Sequence, residues 1–170
     1  LPKGSEVLTS VLTFSTDVAP LVRAGLVPVF VDVEPDTYNV DPDALERLIG
    51  PDTKAMLIPN LVGNTPDWDR LRAIADAHDL LVIEDSCDAL GATLRGTPTG
   101  TRSDLSVTSF AASHIITAAG NGGMVLLDDE QLRDRGLPLR RWGRRSQAQF
   151  HRSPQGDRRF LAGVDGMEYE

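Results

Sequence analysis

The chain has 170 residues, 41% of them hydrophobic, and a formal net charge of −8. That length buries one sizeable core, and the negative balance argues against nucleic acid or an anionic membrane as a partner. One cysteine, Cys87, excludes an intrachain disulfide framework or a cysteine-rich metal cluster within these residues. No apolar run approaches a membrane span and no signal peptide is visible, so the expected compartment is the cytoplasm. The chain starts Leu1-Pro2-Lys3-Gly4 without an initiator Met and ends Gly166-Met167-Glu168-Tyr169-Glu170 without a helix stop. A piece of a longer protein is expected.

Residues 6–13, rich in Val, Leu and Thr, suit a strand. Thr16-Asp17 opens a short helix through Val22, stopped by Gly25. Residues 27–33 form a second strand. Asp41-Pro42 pairs a cap with Pro at the first helical position, for a helix to about Ile49 ended by Gly50-Pro51. Residues 54–58 are a strand and 59–65 a loop. Thr65-Pro66 repeats the cap-then-Pro signature before a helix over 67–79, with Leu71, Ile74 and Ala75 on one face. His78 falls in its last turn, where a cation favours the dipole, and is read as structural.

Residues 80–85 are an apolar run ending in Glu84-Asp85, then the small-residue turn Ser86-Cys87-Asp88-Ala89. Such a run reads as a buried parallel strand. Residues 93–101 look like a turn-rich excursion, 105–110 a strand, 111–123 a loop holding His114, and 124–127 a further strand. Asp128-Asp129 opens a helix through Leu132, broken near Gly136-Pro138. Past Trp142 the chain is polar and Arg-rich; the cluster Arg140, Arg141, Arg144 and Arg145 reads as surface or interface.

The alternation of strands and helices predicts an α/β fold with a mostly parallel sheet and helices on both faces. Right-handed crossovers put the strand-to-helix loops along one edge, where ligands of open α/β sheets bind. Loops 59–65, 84–89 and 109–123 are expected to bring Asn60, Asn64, Asp85, Asp88, Ser109, Ser113, His114, Thr117 and Asn121 there. One imidazole among scattered acids is a poor metal site. No G-x-G-x-x-G, P-loop or nucleophile elbow is present, so neither a dinucleotide fold nor a Ser109-His114-Asp85 triad is supported.

Several segments, in order, resemble the sugar aminotransferases of the DegT/DnrJ/EryC1/StrS family, fold-type I enzymes that use pyridoxal phosphate (PLP). They are Pro28-Val29-Phe30-Val31-Asp32-Val33, Leu61-Val62-Gly63-Asn64, Val82-Ile83-Glu84-Asp85-Ser86-Cys87-Asp88-Ala89, Gly100-Thr101-Arg102-Ser103-Asp104-Leu105, Ser109-Phe110 and Gly122-Gly123. The resemblance implies a three-layer PLP-dependent transferase large domain. Residues 1–143 would be its core without the N-terminal part, and 144–170 an irregular segment leading toward a small C-terminal domain. It implies that Asp85 pairs with the cofactor's pyridine nitrogen, Ser109 hydrogen-bonds its phosphate and Asp88 lies near its ring.

In ordinary members the Schiff-base lysine stands five residues after this serine; here the position is His114, and the only lysines are Lys3 and Lys54. The chain is most similar to the subgroup in which His replaces that Lys, the NDP-4-keto-6-deoxyhexose 3-dehydratases. Ser113-His114-Ile115-Ile116-Thr117 is similar to their A-H-H-I-T stretch, with a loop one residue longer and Asn121 where they carry Glu. The implied cofactor is the amine form, PMP, with His114 as base, a nucleotide-linked 4-keto-6-deoxy sugar as substrate and glutamate regenerating PMP. A homodimer is implied as well. Residues 145–160 contain no Cys, so the [2Fe–2S] cluster of some such dehydratases is not expected. The alternatives are an aminotransferase-like enzyme that lost its lysine and a degenerate domain that binds a partner or a nucleotide sugar.

Overall fold

The computed structural model describes residues 1–140, which fall into two compact units divided after Leu126. The first unit holds a six-stranded sheet in the order β2-β1-β3-β4-β7-β8, formed by β1 (Glu6–Ser10), β2 (Val27–Val31), β3 (Thr53–Pro59), β4 (Leu81–Asp85), β7 (Leu105–Ser109) and β8 (Gly123–Leu126). Four of the five pairings are parallel, and only β7 with β8 is antiparallel. A small hairpin of β5 (Thr93–Leu94) and β6 (Thr97–Pro98) occupies the turn-rich excursion.

The sheet alternates strictly between two cores. Leu8, Met56, Ile58 and Val82 face α2 (Pro42–Arg47) and α3 (Trp68–His78), packing with Leu45, Trp68, Leu71, Ile74 and Ala75. Val7, Ala55, Leu57, Leu81 and Ile83 face the other way and pack with Leu21 of α1 (Ser15–Arg23). Side chains two apart on a strand share a face. Leu81, Ile83 and Asp85 therefore point to the α1 side, and Val82 and Glu84 to the α2/α3 side.

Local chemistry explains most element ends. Asp41 Oδ1 accepts from the N–H groups of Asp43 and Ala44, capping α2 as its cap-then-Pro signature predicts. For α3 the cap is Asp67, whose Oδ1 accepts from Arg70 N at 3.3 Å, not Thr65. Helix α1 starts one residue before Thr16, and Asp17 lies inside its first turn. It ends where Gly25 takes φ +76° and Leu26 N donates to Leu21 O at 2.9 Å, a closure that favours glycine.

In the second unit α4 (Glu130–Leu139) is capped by Asp129 Oδ1 on Leu132 N. It runs through Gly136 and Pro138, near which the sequence predicts a break. Pro138 lies one residue before the helix end, so its missing N–H costs one terminal bond and does not divide the helix. Trp142, Arg141, Arg144, Arg145 and the segment 144–170 lie outside the described residues. Among the described residues no helix is long and apolar enough to cross a membrane.

Candidate active site

The loops after β1, β3, β4 and β7 all leave the carboxyl edge of the parallel strands, as the βαβ spacing predicts. Asp85 ends β4, and its Oδ1 accepts from Cys87 N at 2.9 Å. Ser109 ends β7, and its Oγ accepts from Ala111 N at 3.2 Å, which leaves the hydroxyl proton free to donate. Ser106 and Thr108 turn toward the Glu84 side: Ser106 packs against Gly100, and Thr108 Oγ1 donates to Ser86 O at 3.2 Å. Ser109, out of phase with them, shares the face of Asp85. On that face β4 and β7 are half-buried, whereas their opposite face is fully buried.

His114 lies in the loop between β7 and β8, its N–H donating to Ala111 O at 3.1 Å. Its Nε2 is 4.0 Å from Asp88 Oδ1, and its buried Nδ1 has no hydrogen-bond partner. A buried polar atom without a partner is costly, and such an atom marks a place where a ligand group can bond. The structure thus brings Asp88 and His114 together and sets Asp85 and Ser109 on one face of the same edge.

Glu84, adjacent to Asp85, serves the opposite face. Its buried carboxylate accepts from Asn60 Nδ2 (2.8 Å), Ser86 Oγ (2.7 Å) and Gly100 N (2.8 Å). Asn60 also donates to Ser86 Oγ and accepts from the indole N–H of Trp68 at 2.7 Å. Asn60 is thus a core residue tying β3, β4 and α3 together, not part of the open site. Asn64 is likewise taken up by the main chain, donating to Thr37 O at 2.9 Å, and Thr117 bonds within its own loop to Gly120. His78 is structural as read, facing Glu46 at 3.6 Å.

One buried acid escaped the sequence reading. Asp17 of α1 is 6% exposed and accepts from Thr13 Oγ1 at 2.5 Å. Burial, with the neighbouring Asp85 carboxylate adding repulsion, pushes its carboxyl up to about 7. Nothing in its spacing announces this, because Asp17 and Asp85 meet only across the fold. Burial, followed by Asp85, also pushes the Cys87 thiol up to about 12, which makes it an inert packing group.

The two lysines lie at the other end of the sheet. Lys54 is the second residue of β3 and its Nζ donates to Pro51 O at 2.9 Å; Lys3 precedes β1 and lies against Gly25. A half-open face, an acceptor carboxylate at a strand end, a free hydroxyl and an unpartnered imidazole nitrogen fit a flat, cationic heteroaromatic ligand bearing a phosphate.

A family model described as the DegT/DnrJ/EryC1/StrS aminotransferase family matches residues 1–163. The chain is 44% identical over 144 residues to a dTDP-4-dehydro-2,6-dideoxy-D-glucose 3-dehydratase of Saccharopolyspora spinosa, covering 85% of this chain and 31% of that protein. A solved aminotransferase from Psychrobacter cryohalolentis superposes with a TM-score of 0.86 at 33% identity, covering 95% of this chain and 41% of that one. The Escherichia coli GDP-4-keto-6-deoxy-D-mannose-3-dehydratase, solved with bound hydrated PLP, gives a TM-score of 0.79 at 33% identity, covering 85% and 37%. The chain thus spans about a third of the length of the first curated relative it matches.

Proposed function

The chain belongs to the DegT/DnrJ/EryC1/StrS aminotransferase family, and from that premise we propose that it carries the cofactor-binding core, residues 1–143, of a PLP/PMP-dependent deoxysugar enzyme. The reaction proposed is C3 dehydration of a nucleotide-linked 4-keto-6-deoxyhexose, with glutamate restoring PMP, in a cytoplasmic homodimer. One observation carries the choice of dehydration: His114 occupies the carboxyl edge beside Asp88, while both lysines of the chain lie at the opposite end. The 3-dehydratases among the relatives support the same reading.

In this reading Asp85 holds the pyridine nitrogen of the cofactor protonated by accepting its N–H. Ser109 Oγ donates to the phosphate. Asp88 lies 4.0 Å from Nε2 of His114, at the edge of the same site. The protonated ring supplies an electron sink for a carbanion. His114 would be the group that moves a proton between the cofactor's C4′ and the departing C3 hydroxyl oxygen, a task for which an imidazole can both accept and donate.

The test is to incubate the full-length protein with PMP, glutamate and an NDP-4-keto-6-deoxyhexose and weigh the sugar. Net loss of one oxygen, abolished by His114→Asn, is the expected result. Exchange of the keto oxygen for an amine would point to an aminotransferase working without its lysine, a reading that the aminotransferases among the relatives keep in play. No turnover and no cofactor absorption would leave a degenerate domain.

A further inference from the structure

The two ring nitrogens of His114 have unlike surroundings. Nε2 faces Asp88 Oδ1 at 4.0 Å, whereas Nδ1 is buried and has no hydrogen-bond partner. The main chain holds both residues on loops of adjacent strands. β4 and β7 pair in parallel through Asp85 and Val107, and Asp88 and His114 lie in the loops that follow. Ala89 N donates to Ser86 O at 3.1 Å, and His114 N donates to Ala111 O at 3.1 Å, so each side chain leaves a closed turn. Gly63 packs against the Asp88 carbonyl, where a Cβ would lie 2.9 Å from the oxygen. Among the described residues His114 is the one basic side chain within ion-pair range of Asp88.

A neutral imidazole carries one N–H, and its second nitrogen is then an acceptor. With the proton on Nε2, an N–H points toward the Asp88 carboxylate and Nδ1 keeps a bare lone pair. With the proton on Nδ1, a lone pair faces the carboxylate instead. Either form leaves Nδ1 without a partner, so the carboxylate decides: it attracts the N–H and repels the lone pair. The group facing one ring nitrogen thereby sets what the other can do.

We infer that Asp88 is a positioning residue for His114: its carboxylate holds the Nε2–H tautomer and so makes Nδ1 the nitrogen that accepts a proton. When Nδ1 takes a proton the ring becomes an imidazolium with its Nε2–H unmoved. When Nδ1 gives that proton up, the ring returns to the same tautomer, ready for another transfer. The tautomer stands on the fold; the transfer at Nδ1 rests on the function proposed above.

Nitrogen-15 NMR of the full-length protein labelled at histidine, with the ring neutral, reads the tautomer. The His114 signals are assigned by their loss in His114→Asn. The expected result is a protonated Nε2 and a bare Nδ1 in the wild type, and a several-fold larger share of the Nδ1–H form in Asp88→Ala. An Nδ1–H ring in the wild type, or the same tautomer ratio in wild type and Asp88→Ala, overturns the assignment. Turnover of an NDP-4-keto-6-deoxyhexose with PMP and glutamate tests the consequence. Asp88→Ala should lower kcat roughly tenfold, the scale of one hydrogen bond to a charged group, with KM near the wild type. An unchanged kcat overturns the positioning role. Failure of the wild type to bind PMP or turn over would sink the proposed function instead, with the NMR result deciding the Asp88–His114 pair alone.

Discussion

Replacing Asn60 by Ala removes the hub of the buried network behind the site. The indole N–H of Trp68, 1% exposed, loses its acceptor, Glu84 Oε1 keeps only Ser86 Oγ, and Ser86 loses a donor. A buried donor left without a partner costs about 1–3 kcal/mol, and a lost bond to a charged group about 1.5–3 kcal/mol. The expected destabilisation is therefore about 3–5 kcal/mol, large for a single substitution. The main-chain bond from Asn60 N to Asp85 O at 2.8 Å survives, so cofactor affinity should move little while stability falls. Urea unfolding of Asn60→Ala, Trp68→Phe and the double variant measures this through the midpoint at constant slope. Phe has no N–H to strand, so the double variant should be more stable than the sum of the singles predicts by about 1 kcal/mol or more. A loss below about 1 kcal/mol for Asn60→Ala, or additivity within about 0.5 kcal/mol, would refute the network as a load shared through Asn60.

Asp17 makes stability depend on pH. Its folded pKa is raised from 3.8 to about 7, so its contribution is intact below about pH 4 and is lost as pH rises through 7. Asp17→Asn should accordingly gain thermal stability relative to wild type above pH 7, the difference closing toward pH 4; a constant difference would count against the buried acid. Gly63 has φ +83°, and an added Cβ would lie 2.9 Å from Asp88 O. Gly63→Ala should cost about 2 kcal/mol by thermal melts, from left-handed strain and a backbone clash; unchanged stability would refute that close approach. Cys87, with its thiol pushed up to about 12, should be about one part in ten thousand thiolate at pH 8. A disulfide reagent should therefore modify it far more slowly in the folded protein than in urea. Arg95 spans the surface, bonding Asp67 and Asp69, and Arg95→Ala should cost no more than about 1 kcal/mol in chemical denaturation.

Much of the fold was legible in local pattern. The apolar run of β4, the Asp41-Pro42 start of α2 and Gly25 after α1 are short-range signals, set by steric limits and by hydrogen bonds within a few residues. Strand–helix alternation determined a mostly parallel sheet and so placed Asp85 and Ser109 at its carboxyl edge, because right-handed crossovers leave few other arrangements. The same local rules misjudged α4, where Gly136-Pro138 lies inside the helix, and α3, where Asp67 outcompetes Thr65 as cap.

The division of labour among the polar residues was decided by tertiary packing alone. Period two already sends Glu84 and Asp85 to opposite faces, but which face is sealed depends on where α1, α2 and α3 settle. Asn60 looks like a site residue by its loop position, yet Trp68 and Glu84 claim it once α3 docks. Asp17 looks like a helix-start residue, yet β4 brings Asp85 beside it from 68 positions away along the chain. Such meetings carry no sequence period, since they arise from strand order in the sheet and not from spacing along the chain.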